Sequence, residues 1–183
     1  VSSGTVNVVN YSQEPDTLPK AGAAFLLTQL GTHAAQEFAD RIATLDLTPP
    51  QTGLLRAIAQ QPGRSQQALA DQLDTAPARL VALVDGLEQR GIVERRRNPN
   101  DRRLYAVHLT SAGDNMMTDI ARVAREHDDA LFTALTSDEQ GQLRELLARV
   151  AADRGLTPGV HPGYRALRAS ETGSPATQDT SES

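Results

Sequence analysis

Between Gly63 and Leu109 the chain changes its hydrophobic period once, and that change limits the folds open to it. Ser65 stands where a helix N-cap belongs, and Leu69 and Leu73 follow at i and i+4, which predicts a short amphipathic helix over residues 65–72. Asp74 and Thr75 break it. Pro77 suits the first turn of a second helix, where its missing N–H leaves nothing unpaired, and Leu80, Leu83, Val84 and Leu87 lay one apolar stripe along it towards Gly91. Two helices joined by so short a turn make a helix-turn-helix. Beyond Gly91 the period becomes two. Ile92 and Glu94 fall on one face, Val93 and Arg95 on the other, and Tyr105, Val107 and Leu109 alternate with Leu104, Ala106 and His108. These are the strands of a hairpin, with the turn formers Asn98, Pro99, Asn100 and Asp101 between them.

The hairpin is also where positive charge collects. From Arg90 to Arg103 there are six arginines (Arg90, Arg95, Arg96, Arg97, Arg102 and Arg103) against Glu94 and Asp101, a surplus of four; the whole chain is −5, so the remainder carries −9. An acidic surface repels nucleic acid generally, and a small patch of always-charged guanidinium groups then gives phosphates one place to dock. Taken alone, an arginine-rich hairpin is equally a solvated turn; directly after a helix-turn-helix it points to duplex DNA. Ser65, Gln66 and Gln67 open the first helix of the motif, where free N–H groups and short polar side chains suit a phosphate, although Ser65 can also be a cap alone.

The rest of the chain reads as support for this unit. Leu27, Leu30, Ala34, Phe38, Ile42 and Leu45 recur at three- and four-residue steps and predict a first long helix from about Ala21 to Leu45. Thr48 can cap the next, with Pro49 first and Gln51 third in a capping box, and Leu54, Leu55 and Ile58 on its buried side. After the hairpin, Thr110 can cap a long helix with Met116, Ile120, Val123 and Leu131 on one face, and Thr136 to Glu139 form a second capping box ahead of Leu143, Leu146, Leu147 and Val150. The domain reading is therefore a loose arm over 1–19, a terminal helix over 20–47, a winged helix-turn-helix lobe over 48–109, two further helices over 110–156 and a mobile tail over 157–183. The fold class is mainly α with one small β-hairpin.

Several functions are disfavoured. With no cysteine there is no disulfide, thiolate metal site or thiol redox sensor. His33, His108, His127 and His161 lack metal-ligand spacing, no glycine-rich phosphate loop occurs, and Asp128 and Asp129 sit on a solvated helix face, so neither an enzyme nor a cofactor is expected. No apolar run approaches membrane-spanning length and no signal-peptide pattern is present, so the expectation is a cytoplasmic protein without a membrane partner.

Four ordered marks in residues 48–113 and just before them resemble the multiple-antibiotic-resistance regulator (MarR) family of winged-helix transcription factors: L-T-P-P-Q at Leu47 to Gln51, V-D-x-L-E-x-R-G at Val84 to Gly91, D-R-R at Asp101 to Arg103, and L-T-x-x-G at Leu109 to Gly113. The resemblance implies a homodimer with interlocked terminal helices on a pseudo-palindromic duplex operator; an intrachain bundle is the other way to cover those helices. It implies that the second helix of the motif enters the major groove, which brings Pro77, Ala78, Arg79, Val81 and Ala82 nearest the bases. Arg79 can reach a guanine with two hydrogen bonds, or instead pair with Asp74 or Asp85. In the wing, Arg95, Arg96 and Arg97 face phosphates, Asp101 ties down a basic neighbour, and Arg102 or Arg103 enters the minor groove. The family commonly responds to small aromatic or phenolic ligands as a repressor, and the matching lining here is Phe25, Gln29, Leu30, His33, Arg56 and Met116, against which stands an interface histidine and a surface arginine. One departure concerns the start of the recognition helix, where Ala76 and Ala78 flank Pro77 in place of a side-chain cap, with Thr75 available if the start shifts. That weak first turn keeps open an alternative from another class, a winged-helix dimer that binds protein partners and no specific DNA.

Overall fold

The computed structural model describes residues 21–97 and 105–156. The expected arm over 1–19, the tail over 157–183 and the hairpin tip with Asp101, Arg102 and Arg103 lie outside the described residues. In chain order the elements are α1 (Ala23–Ala43), α2 (Pro49–Gln60), α3 (Gln66–Gln72), α4 (Pro77–Gln89), β1 (Val93–Arg97), β2 (Tyr105–Leu109), α5 (Ser111–Leu131) and α6 (Ser137–Asp153).

Local chemistry sets most of these boundaries. Thr48 accepts from the Gln51 N–H while the Gln51 side chain accepts from the Thr48 N–H at 2.9 Å, and Thr136 and Glu139 repeat the arrangement at α6. Ser65 and Thr110 cap α3 and α5 through the N–H groups of Ala68 and Gly113. The helix-turn-helix turn closes on Asp74 in the left-handed region, φ +49°, with the Thr75 N–H returning to the Ala70 carbonyl at 3.0 Å. The recognition helix starts at Pro77 with Ala76 as an N-cap that offers no side-chain bond. Thr75 does not take over: its hydroxyl is buried without a hydrogen-bond partner among the described residues.

The core lies inside the lobe. Leu54, Leu55 and Ile58 of α2, Leu69 of α3, Leu73 just after it, Leu80, Val84 and Leu87 of α4, and Val93 and Val107 of the hairpin are all essentially inaccessible, and Ile42 of α1 with Ile120 and Val123 of α5 close one side. Each such side chain contributes about 1.5–3 kcal/mol of transfer free energy. The hairpin pairs antiparallel from Val93 opposite Leu109 to Arg97 opposite Tyr105. Strict in-and-out alternation fails in β2, where both Ala106 and Val107 are buried. There the segment before α3 runs beside the second edge of β2. Ser65 bridges Ala106, and Val107 exchanges backbone hydrogen bonds with Gly63 and Arg64 at 3.2 and 3.0 Å.

Outside the lobe, α5 packs on α1, and His127 stacks against Phe38 with ring centroids 5.7 Å apart. Gly113 is required at the start of α5, since a Cβ there would lie 2.3 Å from the Ile92 carbonyl oxygen. The first half of α1 and most of α6 remain uncovered. Phe25, Leu27, Leu30, Leu146 and Val150 are each about half exposed, and α6 has no buried residue. No helix among the described residues is long and apolar enough to cross a membrane.

Candidate nucleic-acid interface

Helix α4 buries Leu80, Val84 and Leu87 and turns Pro77, Ala78, Val81 and Ala82 outward, so the four small or apolar residues expected near bases form one exposed face. Arg79 sits between the two faces. Its side chain is half-buried, and its Nε lies inside the protein without a hydrogen-bond partner among the described residues. Asp85, one of the carboxylates within sequence reach of Arg79, accepts from Arg95 instead.

Arg95 occupies a place that the arginine count did not foresee. It projects from the same hairpin face as Val93 and Val107, and its guanidinium is bonded to Asp85 and Glu88 of α4 and to Gln66 Oε1 of α3 at 3.2 Å. The Arg95 N–H also donates to Glu88, at 3.0 Å. Only 18 % of its side chain is accessible. Partial burial alone would lower its pKa, but hydrogen bonds to Asp85 and Glu88, together with their charges, outweigh that and raise it further above the ordinary arginine value. A guanidinium whose donors are already engaged on three residues is a brace between wing and recognition helix, and the structure gives it that position where phosphate contact was expected. The same bond occupies Gln66. Gln67 is exposed and donates to Asp71 at 2.9 Å, while Ser65 caps α3 with its hydroxyl.

Arg96 and Arg97 are the arginines of β1 that face water. Arg96 pairs with Glu94 at 2.5 Å, both partly solvated, and Arg97 makes no ion pair among the described residues. The candidate interface therefore combines an outward α4 face with two exposed cations of β1, and Arg95 ties that strand to the helix. It contains no group of three or more metal-ligating side chains among the described residues.

In a single chain the residues proposed for a small ligand are mostly open to solvent. Phe25 and Leu30 are open to solvent, His33 lies 3.4 Å from Glu37 of its own helix, Gln29 and Arg56 are exposed, and Met116 packs against the core. None of them lines the cleft of about 190 Å³ formed by Asp128, Phe132, Gln140, Leu143, Arg144 and Leu147 at the α5–α6 elbow.

Comparison with known proteins agrees with this geometry. Residues 45–104 match the model of the MarR family. Over 126 residues, 68% of this chain and 76% of the other, the sequence is 35% identical to a transcriptional regulatory protein for the hcr operon of Thauera aromatica. Among solved structures, the fold is similar to the transcriptional repressor CouR bound to a 23-mer DNA duplex, with a TM-score of 0.62 and 31% identity, covering 70% of this chain and 92% of that one. It is also similar to a mutant of Escherichia coli MarR in complex with operator DNA, with a TM-score of 0.58 and 27% identity, covering 68% of this chain and 90% of that one. A helix-turn-helix with a paired wing, four family marks in order and this degree of identity lead to one assignment: the chain belongs to the MarR family of transcriptional regulators.

Proposed function

We propose that the chain acts as a homodimeric repressor that binds a pseudo-palindromic duplex, with α4 in the major groove and the arginine hairpin along the neighbouring minor groove, and that a small ligand relieves the repression. The observation that carries this reading is the division of α4 into a buried stripe and an outward face of Pro77, Ala78, Val81 and Ala82, with Arg96 and Arg97 exposed on the hairpin that packs against this helix. Such a face offers methyl groups to thymine and close backbone approach. Few polar groups reach bases from it, so specificity rests on Arg79, on Arg102 or Arg103 in the minor groove with Asp101 as their anchor, and on duplex shape. Half-buried Ser65 and exposed Gln67, at the start of α3, supply phosphate contacts.

The uncovered apolar surface of α1 and α6 supports the dimer. A single chain leaves Phe25, Leu27, Leu30, Leu146 and Val150 in water, and a second copy packed there sets two α4 helices on one side of a duplex. The same packing would close an effector site around Phe25, Gln29, Leu30, His33, Arg56 and Met116, which one chain leaves open. A ligand acts there only by favouring one spacing of the two lobes over another.

Mobility-shift titration against the DNA upstream of the chain's own gene tests the reading. Retardation whose affinity falls by several orders of magnitude between low and moderate salt supports it, because phosphate contacts release counterions. Absence of retardation even in dilute buffer refutes it, and leaves a winged-helix module for protein partners, the reading that the uncapped start of α4 favours.

A further inference from the structure

The C-terminal corner of α4 is held from two sides. The helix closes on Gly91 at φ +67°, whose N–H returns to the Glu88 carbonyl at 2.8 Å, while the Ile92 N–H returns to Leu87 at 3.0 Å. From the α5 side, Thr110 donates its hydroxyl to the Gly91 carbonyl at 2.6 Å and its N–H to the Ile92 carbonyl at 3.1 Å, and Gly113 lies directly against that same carbonyl. From the α1 side, Arg90 reaches back 44 positions along the chain to the turn that follows α1. Its guanidinium donates to the Asp46 carbonyl at 2.5 Å and to the Leu45 carbonyl at 3.3 Å. That turn is a defined one, with Asp46 in the left-handed region at φ +54°.

Arg90 is exposed and belongs by sequence to the basic stretch that suggested phosphate contact. Its donors point elsewhere, onto two neutral carbonyls at the end of α1. We infer that Arg90 is a positioning residue that couples α1 to the recognition helix, so that the separation of two α4 helices in a dimer follows the arrangement of their α1 helices. The inference rests on the regulator reading above and deepens it. The α5 side of the corner is built from the short Thr110 hydroxyl, a backbone hydrogen bond and a close glycine contact, which tolerate little change. On the α1 side, Arg90 adds one long exposed side chain to the apolar packing of Ile42, Leu45 and Leu47 against the lobe core, and it is the softer, polar tie between the end of α1 and the end of α4.

Two readouts on the full chain test this. Because the sequence has no cysteine, nitroxides at Gln36→Cys in α1 and Ala78→Cys in α4 report one distance within a chain when labelled protein is diluted with excess unlabelled protein. Arg90→Ala broadens that distance distribution, and Arg90→Lys, which keeps the charge but cannot span both carbonyls, falls between it and the wild type. On the duplex that the wild type selects from a randomised pool, Arg90→Ala binds about tenfold more weakly, within the usual range of coupling between sites. It also accepts half-site spacings that the wild type rejects, with the salt dependence unchanged. An unaltered distance distribution overturns the inference, as does unaltered spacing selectivity. A salt slope reduced by about 0.9 makes Arg90 a phosphate contact and overturns it as well. So does an Arg90→Lys variant that matches the wild type in every readout. If the wild type selects no duplex, the regulator reading fails, and the distance measurement still decides the coupling.

Discussion

Replacing Arg95 by alanine separates a brace from a DNA contact. The guanidinium bonds two carboxylates and one amide, and its removal leaves Asp85 and Glu88 as neighbouring negative charges without their shared cation. A hydrogen bond to a charged group contributes about 1.5–3 kcal/mol, but Asp85 and Glu88 are 48% and 38% exposed, so solvent screens part of the attraction. The expected loss is therefore about 1–3 kcal/mol in urea unfolding at fixed protein concentration. Asp85→Asn should lose a similar amount, and the double variant less than the sum of the two, since both singles break the same bond. DNA affinity should fall for all sequences alike as the wing loosens, while the slope of affinity against salt keeps its wild-type value. Wild-type stability together with a slope reduced by about 0.9 would refute the reasoning, because that pair of results describes a phosphate contact.

Three further outcomes follow from particular residues. Gly113→Ala places a methyl 2.3 Å from the Ile92 carbonyl oxygen and should destabilise by about 1–3 kcal/mol, whereas Gly141→Ala in α6, with open space around the new Cβ, should stabilise by about 0.5–1 kcal/mol; urea melts of both decide it. Ala76→Ser supplies the side-chain cap that α4 lacks and should raise stability by about 0.5–2 kcal/mol, and an unchanged melt would count against the observed helix start. The Glu139 carboxylate accepts the Thr136 N–H and then its hydroxyl, which holds its pKa below the ordinary glutamate value. Its folded-state pKa being depressed, the stabilisation is fully present above the unfolded glutamate value of about 4.3 and is lost as pH falls through the lower folded value. Amide protection factors in the first turn of α6, measured relative to the intrinsic exchange rate at each pH, should fall as pH drops across that window in the wild type and stay flat in Glu139→Gln.

What could be foreseen from sequence depended on how far apart the partners lie. Thr48 with Gln51, Thr136 with Glu139, and the caps Ser65 and Thr110 need only three residues to act, so their bonds were legible from spacing, as was the missing cap at Ala76. The wing arginines were legible as charge but not as individuals. Alternation already put Arg95 on the face of buried Val93, but Ile92 at the head of the other face is buried too, so the strand period alone did not single out Arg95 as a brace. Arg90 was not recoverable, because its partners stand 44 and 45 positions away and are carbonyls, which every residue has. His127 shows an intermediate case. It falls at helical steps from Ile120 and Val123, yet a histidine does not announce itself as part of a packed face, and its buried role against Phe38 becomes visible only when α1 and α5 are brought together. The proposed ligand residues came from resemblance rather than from a pattern in this chain.

The central claim is that this fold presents α4 to duplex DNA twice, at a fixed separation. Selection of bound duplexes from a randomised pool measures it most directly. The account predicts enrichment of two inverted half-sites with centres about 10–10.5 base pairs, one turn, apart or a multiple of it, and a single position per half-site that relaxes in Arg79→Ala. Enrichment of an isolated half-site, or no enrichment at all from a correctly folded chain, would contradict it.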